Sequence, residues 1–222
     1  MSFPLPVPAD PLPMFPLERT ALPDEGLTLN VFEPRFHALV QDCLDAWSER
    51  PRFGVVLIER GSEVGGGEVR TDIGTIVEIC STRKHSCGRL TLDAVVCERI
   101  RVRSWLDDDP YPRALVEGWP DQPTGGVSPE DLMALEFKLR LLDDRMDELA
   151  FKRSTSAPIM PTTVDLWGEP GAKLLQLARE LPMGDSDRQR VLSAPGAAER
   201  VRVLCEILDS GIEQLEFWLS VP

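Results

Sequence analysis

Cys80, His85, Cys87 and Cys97 are the side chains with the most obvious chemical potential in this sequence, because thiolate and imidazole together can hold a structural zinc. Their spacing, Cys-x4-His-x-Cys followed by nine residues to Cys97, contains no Cys-x2-Cys pair. Cys80 and Cys97 also fall in extended runs where a small buried thiol is ordinary, so no metal and no other cofactor is expected. Nucleophilic catalysis finds still less support. The two histidines are His37, inside a helical pattern, and His85, in a turn, and neither sits in a strand-to-helix nucleophile motif. Gly61, Gly65, Gly66 and Gly67 invite a phosphate-loop reading, but no Lys-Ser/Thr follows them and no helix pattern begins there. Arg99, Arg101 and Arg103 alternate along one run and could meet an anion; Glu98, Asp107, Asp108 and Asp109 beside them favour ion pairing or a solvated face. Glu33 and Arg35, set between Phe32, Pro34 and Phe36, could pair with each other, cap nearby backbone, or grip a ligand.

Charge narrows the classes further. The net charge is −13 over 222 residues, and the acidity is spread, with 19 acidic residues in 1–120 and 18 in 121–222. A uniformly acidic surface repels phosphate backbones and anionic lipid, which disfavours nucleic acid and membrane as partners. Five cysteines with no regular framework point to a reducing compartment. With no signal-peptide pattern and no membrane-length apolar run, the expected location is cytoplasmic.

Residues 1–13 alternate proline with small or apolar residues and read as a flexible leader. From Met14 the pattern is a strand, an acidic turn at Pro23-Asp24-Glu25-Gly26, a second strand, and a helix opened by Pro34, whose ring presets φ and whose missing N–H has no intrahelical partner to lose. Phe36, Leu39, Val40, Cys43, Leu44 and Trp47 then share one helix face. Phe53 to Ile58, Ile73 to Cys80 and Arg89 to Trp105 read as strands, the last with a change of phase around Cys97 that predicts a bulge. Residues 121–127 form a Pro/Gly linker, after which the composition turns leucine-rich. Ser128-Pro129-Glu130-Asp131 opens a helix carrying Leu132, Leu135, Leu139, Leu142, Met146 and Leu149 on one stripe. Further helices are expected at 172–181, from a capping box at Ser186-Asp187-Arg188-Gln189, and from about Ala197 to the C-terminus. The fold class is therefore α+β: a small β domain over 14–120 with one early helix, followed by a helical bundle over 128–222.

Phe15-Pro16-Leu17, Leu29-Asn30-Val31-Phe32-Glu33-Pro34-Arg35-Phe36, Arg52-Phe53-Gly54-Val55-Val56, Gly74-Thr75, Glu98-Arg99-Ile100 and Pro110-Tyr111-Pro112, in this order, resemble the N-terminal substrate-binding domain of Lon proteases. Cys97 and Ile100 stand where that family's pattern has glycine and an aromatic residue, which touches local packing alone. The resemblance implies a PUA-like, strongly curved β-barrel or sheet and a helical second part. It makes Phe15, Phe32, Glu33, Pro34, Arg35, Phe53, Gly54, Gly74 and Arg99 a signature with a structural role.

The function so implied is recognition of polypeptide, either unfolded segments or an adaptor, by a stand-alone, non-catalytic module. The phosphate loop and serine-lysine dyad of full-length Lon find no counterpart here. A barrel that is not fully closed would offer edge strands and an apolar groove, with Trp105, Tyr111 and Trp119 as candidate contacts at its rim. Two alternatives stand beside it: a nucleic-acid module, from PUA kinship and the arginine stripe, and an ATP-dependent peptidase, by transfer from the family.

Overall fold

The computed structural model describes residues 11–46, 50–86, 88–123 and 125–221. The chain divides into two compact units, 1–120 and 121–222. The first runs β1 (Leu12–Leu17), β2 (Gly26–Val31), α1 (Pro34–Ala46), β3 (Arg52–Arg60), β4 (Val69–Lys84), β5 (Leu90–Trp105) and β6 (Arg113–Gly118). Its first strand begins at Leu12, so Leu12 and Pro13 belong to the sheet and not to a leader; both are buried, and Leu12 pairs with Ala114. The rest of the expected leader, 1–10, lies outside the described residues.

The strands form one mixed sheet in the order β2-β5-β4-β3-β1-β6 with an additional β5–β6 pairing. That last pairing closes β1, β3, β4, β5 and β6 into a ring, with β1 parallel to β3 and every other contact antiparallel. The expectation of an incompletely closed barrel is corrected accordingly. β2 hangs on the first half of β5, Gly26 opposite Val95 through Val31 opposite Leu90, and is paired on that side alone among the described residues.

Strand β5 serves both halves because it changes phase. Thr75 pairs with Arg99 and Val77 with Val96, so β5 carries one residue more than β4 at Cys97–Glu98. Leu90, Leu92, Ala94 and Val96 are buried on the α1 side, whereas Ile100 and Val102, at the same parity, are buried on the opposite side, because the extra residue swaps the faces. This is the bulge that the sequence predicts, and it turns the strand from the flat outer sheet into the ring.

The two sides of the sheet are both buried. Leu12, Met14, Val56, Ile76, Ile100, Val102 and Ala114 cluster on one. On the other, Phe15, Leu17, Phe53, Val55, Val77, Leu92 and Val96 meet Phe36, Leu39, Val40 and Cys43 of α1. That explains why β1 is buried at every position, the pattern of a strand covered on two faces. Gly74 lets the β3 backbone come close: a Cβ there would stand 2.1 Å from the Val55 carbonyl oxygen. Gly54 lies under the Met14 thioether in the same way, at 2.4 Å from the sulfur.

In the second unit α2 (Pro129–Lys152), α3 (Pro170–Glu180), α4 (Asp185–Ser193) and α5 (Ala197–Ser220) form the bundle. Ser128 caps α2 as its sequence suggests, accepting from the Asp131 N–H. The capping box expected at Ser186 is not used; α4 starts one residue earlier behind Gly184, with no side-chain cap. α2 and α5 run parallel, since Lys138 pairs with Asp209, Arg145 with Glu216 at 3.6 Å, and Lys152 donates to the Leu219 carbonyl at 3.1 Å. These partners step by seven residues along α2, the repeat that keeps one seam facing a neighbouring helix.

Arg200 anchors the bundle. It is fully buried, and its guanidinium donates to both Asp121 carboxylate oxygens at 2.9 Å and to the carbonyls of Gly171 (3.0 Å), Val191 (3.1 Å) and Ala194 (3.2 Å). Gly171 must be glycine beside it, for a Cβ would fall 1.5 Å from Asp121 Oδ2. Among the described residues no helix is long and apolar enough to cross a membrane.

Two stability outcomes follow. Gly74→Ala should cost about 2–3 kcal/mol, read as a lowered thermal midpoint, because the β3 backbone has to shift to admit a methyl group. Arg200→Ala, which strips three buried carbonyls and Asp121 of their donor, should cost roughly 3–5 kcal/mol in urea unfolding. A loss under about 1 kcal/mol in either would contradict the packing described.

Candidate functional site

The unpaired edge of β2 borders a groove of about 310 Å³. Its floor is apolar: Leu29 and Val31 point inward by the alternation of β2, and Phe15, Leu17 and Phe36 come from β1 and α1. Phe15 and Phe36 stack with centroids 3.9 Å apart and planes 12° from parallel, and Phe53 packs obliquely on Phe15 at 6.1 Å. Thr28 and Asn30 face the other way on β2, where they bond Asp93 and Thr91 of β5. Phe32, immediately after the strand, lies on the groove and is 57% exposed. It was grouped with the packing signature, and the structure corrects this: strand alternation sends Val31 into the core and so turns Phe32 outward.

The rim is acidic. Glu18 and Glu63 each accept a hydrogen bond from the other's backbone N–H, at 3.3 and 2.6 Å, which ties the end of β1 to the β3–β4 loop. Glu33 pairs with Arg35 at 3.2 Å; Arg35 also donates to the Glu63 carbonyl at 3.1 Å and covers the Phe36 ring at 4.4 Å. The Glu33–Arg35 pair thus holds the start of α1 against the loop that carries the glycine cluster. Pro34 is the first residue of α1.

The aromatic residues picked out from sequence are not brought together. Tyr111 is buried in the α1-side core and donates to Asp42 Oδ2 at 2.6 Å; burial, reinforced by that carboxylate, pushes its phenol above the usual range. Trp105 and Trp119 sit at opposite ends of the β5–β6 ladder. Arg70, held by Glu68 and Asp108, covers Trp105 at 4.7 Å, and Arg101 covers Trp119 at 4.9 Å. The arginine stripe is likewise occupied: Arg99 is buried, Arg101 lies on Trp119, and Arg103 pairs with Glu117 at 2.5 Å.

For the zinc reading, Cys87 lies outside the described residues, and among those described no three of His, Cys, Asp and Glu gather in a metal-binding group. His85 bonds Thr91 at 2.8 Å. Burial raises the Cys97 thiol to about 11 and the Cys43 thiol to about 12, which keeps both protonated and weakly nucleophilic.

A mixed six-stranded sheet closed into a small ring and followed by a helical bundle defines a PUA-like α+β protein, and the comparisons with known proteins place it further. Residues 11–210 match the ATP-dependent protease La (LON) substrate-binding domain, so the chain belongs to that family. It is 28% identical over 214 residues to Lon protease 2 of Sorangium cellulosum (strain So ce56), covering 93% of this chain and 25% of that protein. It is 23% identical over 176 residues to Lon protease 2 of Thermus thermophilus, covering 78% and 21%. The chain therefore spans about a quarter of the length of these relatives. Among solved structures, the fold matches a Lon N-terminal domain protein from Xanthomonas campestris with a TM-score of 0.61 at 24% identity, over 89% of this chain and 98% of that one. The N-terminal domain of a Mycobacterium avium complex Lon protease matches at 0.55 and 13%, over 90% and 98%. The family match is to a substrate-binding domain and to no catalytic one.

Thiol chemistry checks the core. At pH 8 iodoacetamide should modify exposed Cys80 readily and leave Cys43 until the protein unfolds, its thiolate fraction being on the order of one in ten thousand. Because the folded thiol binds its proton more tightly than the unfolded one, this contribution to stability is intact below pH 9 and lost as pH rises toward 12. Comparable labelling of Cys43 and Cys80 in the native protein would show an open core.

Proposed function

We propose that this protein binds polypeptide without cutting it, and that an extended segment adds to the free edge of β2 and lays side chains into the adjoining groove. The observation that carries this reading is the conjunction of an unpaired strand, an apolar floor and an exposed Phe32 at one place. Strand addition takes affinity from main-chain hydrogen bonds and asks little of the guest's sequence, while alternate side chains supply what selectivity there is. An edge of six residues accommodates a guest of about 20 Å. The acidic rim of Glu18, Glu33 and Glu63 favours guests with basic residues between the apolar ones. The substrate-binding family supports the same reading at the level of class.

No catalytic step is part of this proposal: the charged residues lining the groove are Arg19, Glu33 and Glu63, with Arg19 paired to Glu25 and Glu33 to Arg35. The nucleic-acid alternative loses its footing with the arginine stripe, whose members are buried, stacked or ion-paired.

A fluorescein-labelled twelve-residue peptide alternating valine and lysine, followed by anisotropy, tests the proposal. Phe32→Asp should weaken binding at least about ten-fold, the scale of losing one aromatic anchor, with an unchanged thermal midpoint. Methylating alternate backbone nitrogens of the peptide should abolish binding. Saturable binding indifferent to both changes, or no binding at all, would overturn the assignment.

A further inference from the structure

A second surface lies on the other flank of α1 and has the opposite charge. The β4–β5 hairpin tip carries Arg83, Lys84 and Arg89, all exposed. Among the described residues none of the three has an ion-pair partner, in a protein of net charge −13. Elsewhere in the same unit the arginines at 19, 35, 70 and 103 are paired with carboxylates, while exposed Arg60, like the hairpin cations, has no ion-pair partner among the described residues. The tip is also well fixed. Lys84 pairs with Leu90 across the ladder, the His85 N–H donates to the Arg89 carbonyl at 2.8 Å, and the His85 ring is held by Thr91.

Beside this tip is a cleft of about 330 Å³ between α1 and the hairpin. Val40, Leu44 and Leu90 give it apolar walls, and Lys84, Thr82 and His37 stand on it as possible partners for a carboxylate. Thr82 and Lys84 share a face of β4 by strand alternation; Arg83 between them belongs to the other face, and Arg89 precedes Leu90 on the facing strand. Asp45 accepts from Gln41 at 3.1 Å and Asp42 from Tyr111 at 2.6 Å; both donors are neutral, so the two carboxylates keep their charge and the cations of the hairpin have to outweigh them.

We infer that this cleft docks a short acidic polypeptide segment, one leucine-sized or aromatic side chain entering between Val40, Leu44 and Leu90 while a neighbouring carboxylate meets Lys84. The volume suits one large side chain. Three cations suit a short acidic stretch and fall well short of the footprint that a phosphate backbone needs against an acidic protein. The protein would then present two polypeptide-binding faces of opposite preference, separated by one helix. The second stands independently of the groove along β2.

The test uses the whole chain and a fluorescein-labelled twelve-residue peptide of aspartate and glutamate with two central leucines. Saturable binding at 50 mM salt is expected. Lys84→Glu should weaken it at least ten-fold. The pair Arg83→Glu and Arg89→Glu should weaken it several-fold and flatten its salt dependence. Gln41→Trp, which fills the cleft from an exposed position, should also weaken it. A peptide with serine in place of leucine should bind at least five-fold less well, and a lysine-for-acid peptide should not bind. Phe32→Asp should leave all of this unchanged, which separates the inference from the proposed groove. Each of the following would overturn it: equal binding of the basic peptide, indifference to Lys84→Glu in a variant that keeps the wild-type melting point, loss of binding in Phe32→Asp, or preference for a single-stranded RNA of equal charge.

Discussion

The first unit depends on β5 belonging to two sheets at once. Its first half lies between β2 and β4, its second between β4 and β6, and one extra residue at Cys97–Glu98 carries it from one role to the other. Without that insertion Ile100 and Val102 would stay on the α1 side with Leu92 and Val96 instead of joining Leu12, Met14 and Ile76 on the other. With it, the ring closes through β6 while β2 is left outside. The same local irregularity therefore lets five strands close on one another and leaves the sixth, β2, open on one side. The free edge is a by-product of closure, and the groove beside it exists because α1 must cover the phenylalanines that the ring turns outward.

Much of this was legible in the chain. Periodicity placed the helices and most of the strands, and the break in alternation at Cys97 and Glu98 marked the bulge. What the chain did not reveal has separate causes. Closure is set by pairings between residues far apart, such as Trp105 with Ala114, and no local pattern encodes them. Leu12 and Pro13 looked like part of a proline-rich leader because proline is a poor strand former, yet Pro13 precedes the stretch of β1 that pairs with β3, which begins at Met14, and so costs that ladder no donor. Ser186 carried capping-box spacing, but α4 already begins at Asp185.

The site was less legible than the fold. Trp105, Tyr111 and Trp119 were chosen as large aromatics near strand ends, and side-chain type does not say which of them find a local partner. Tyr111 found Asp42; the tryptophans found arginines. Phe32 was hidden by its company, since Phe15, Phe36 and Phe53 in the same signature do form the core. The signal that could have exposed it was the parity of β2: Leu27, Leu29 and Val31 fill the inward positions, and the next residue must turn away. The acidic rim, built from Glu18, Glu33 and Glu63, needed three separate segments to meet and could not be read from any one of them.

One property of β2 reaches further than its sequence. A lone strand edge offers the same alternating donors and acceptors to a guest of either polarity, because parallel and antiparallel ladders differ only modestly in strength. A receptor built on such an edge is indifferent to whether a captured chain arrives amino end or carboxyl end first, so it can take hold of a tangled polypeptide at whatever stretch happens to be loose.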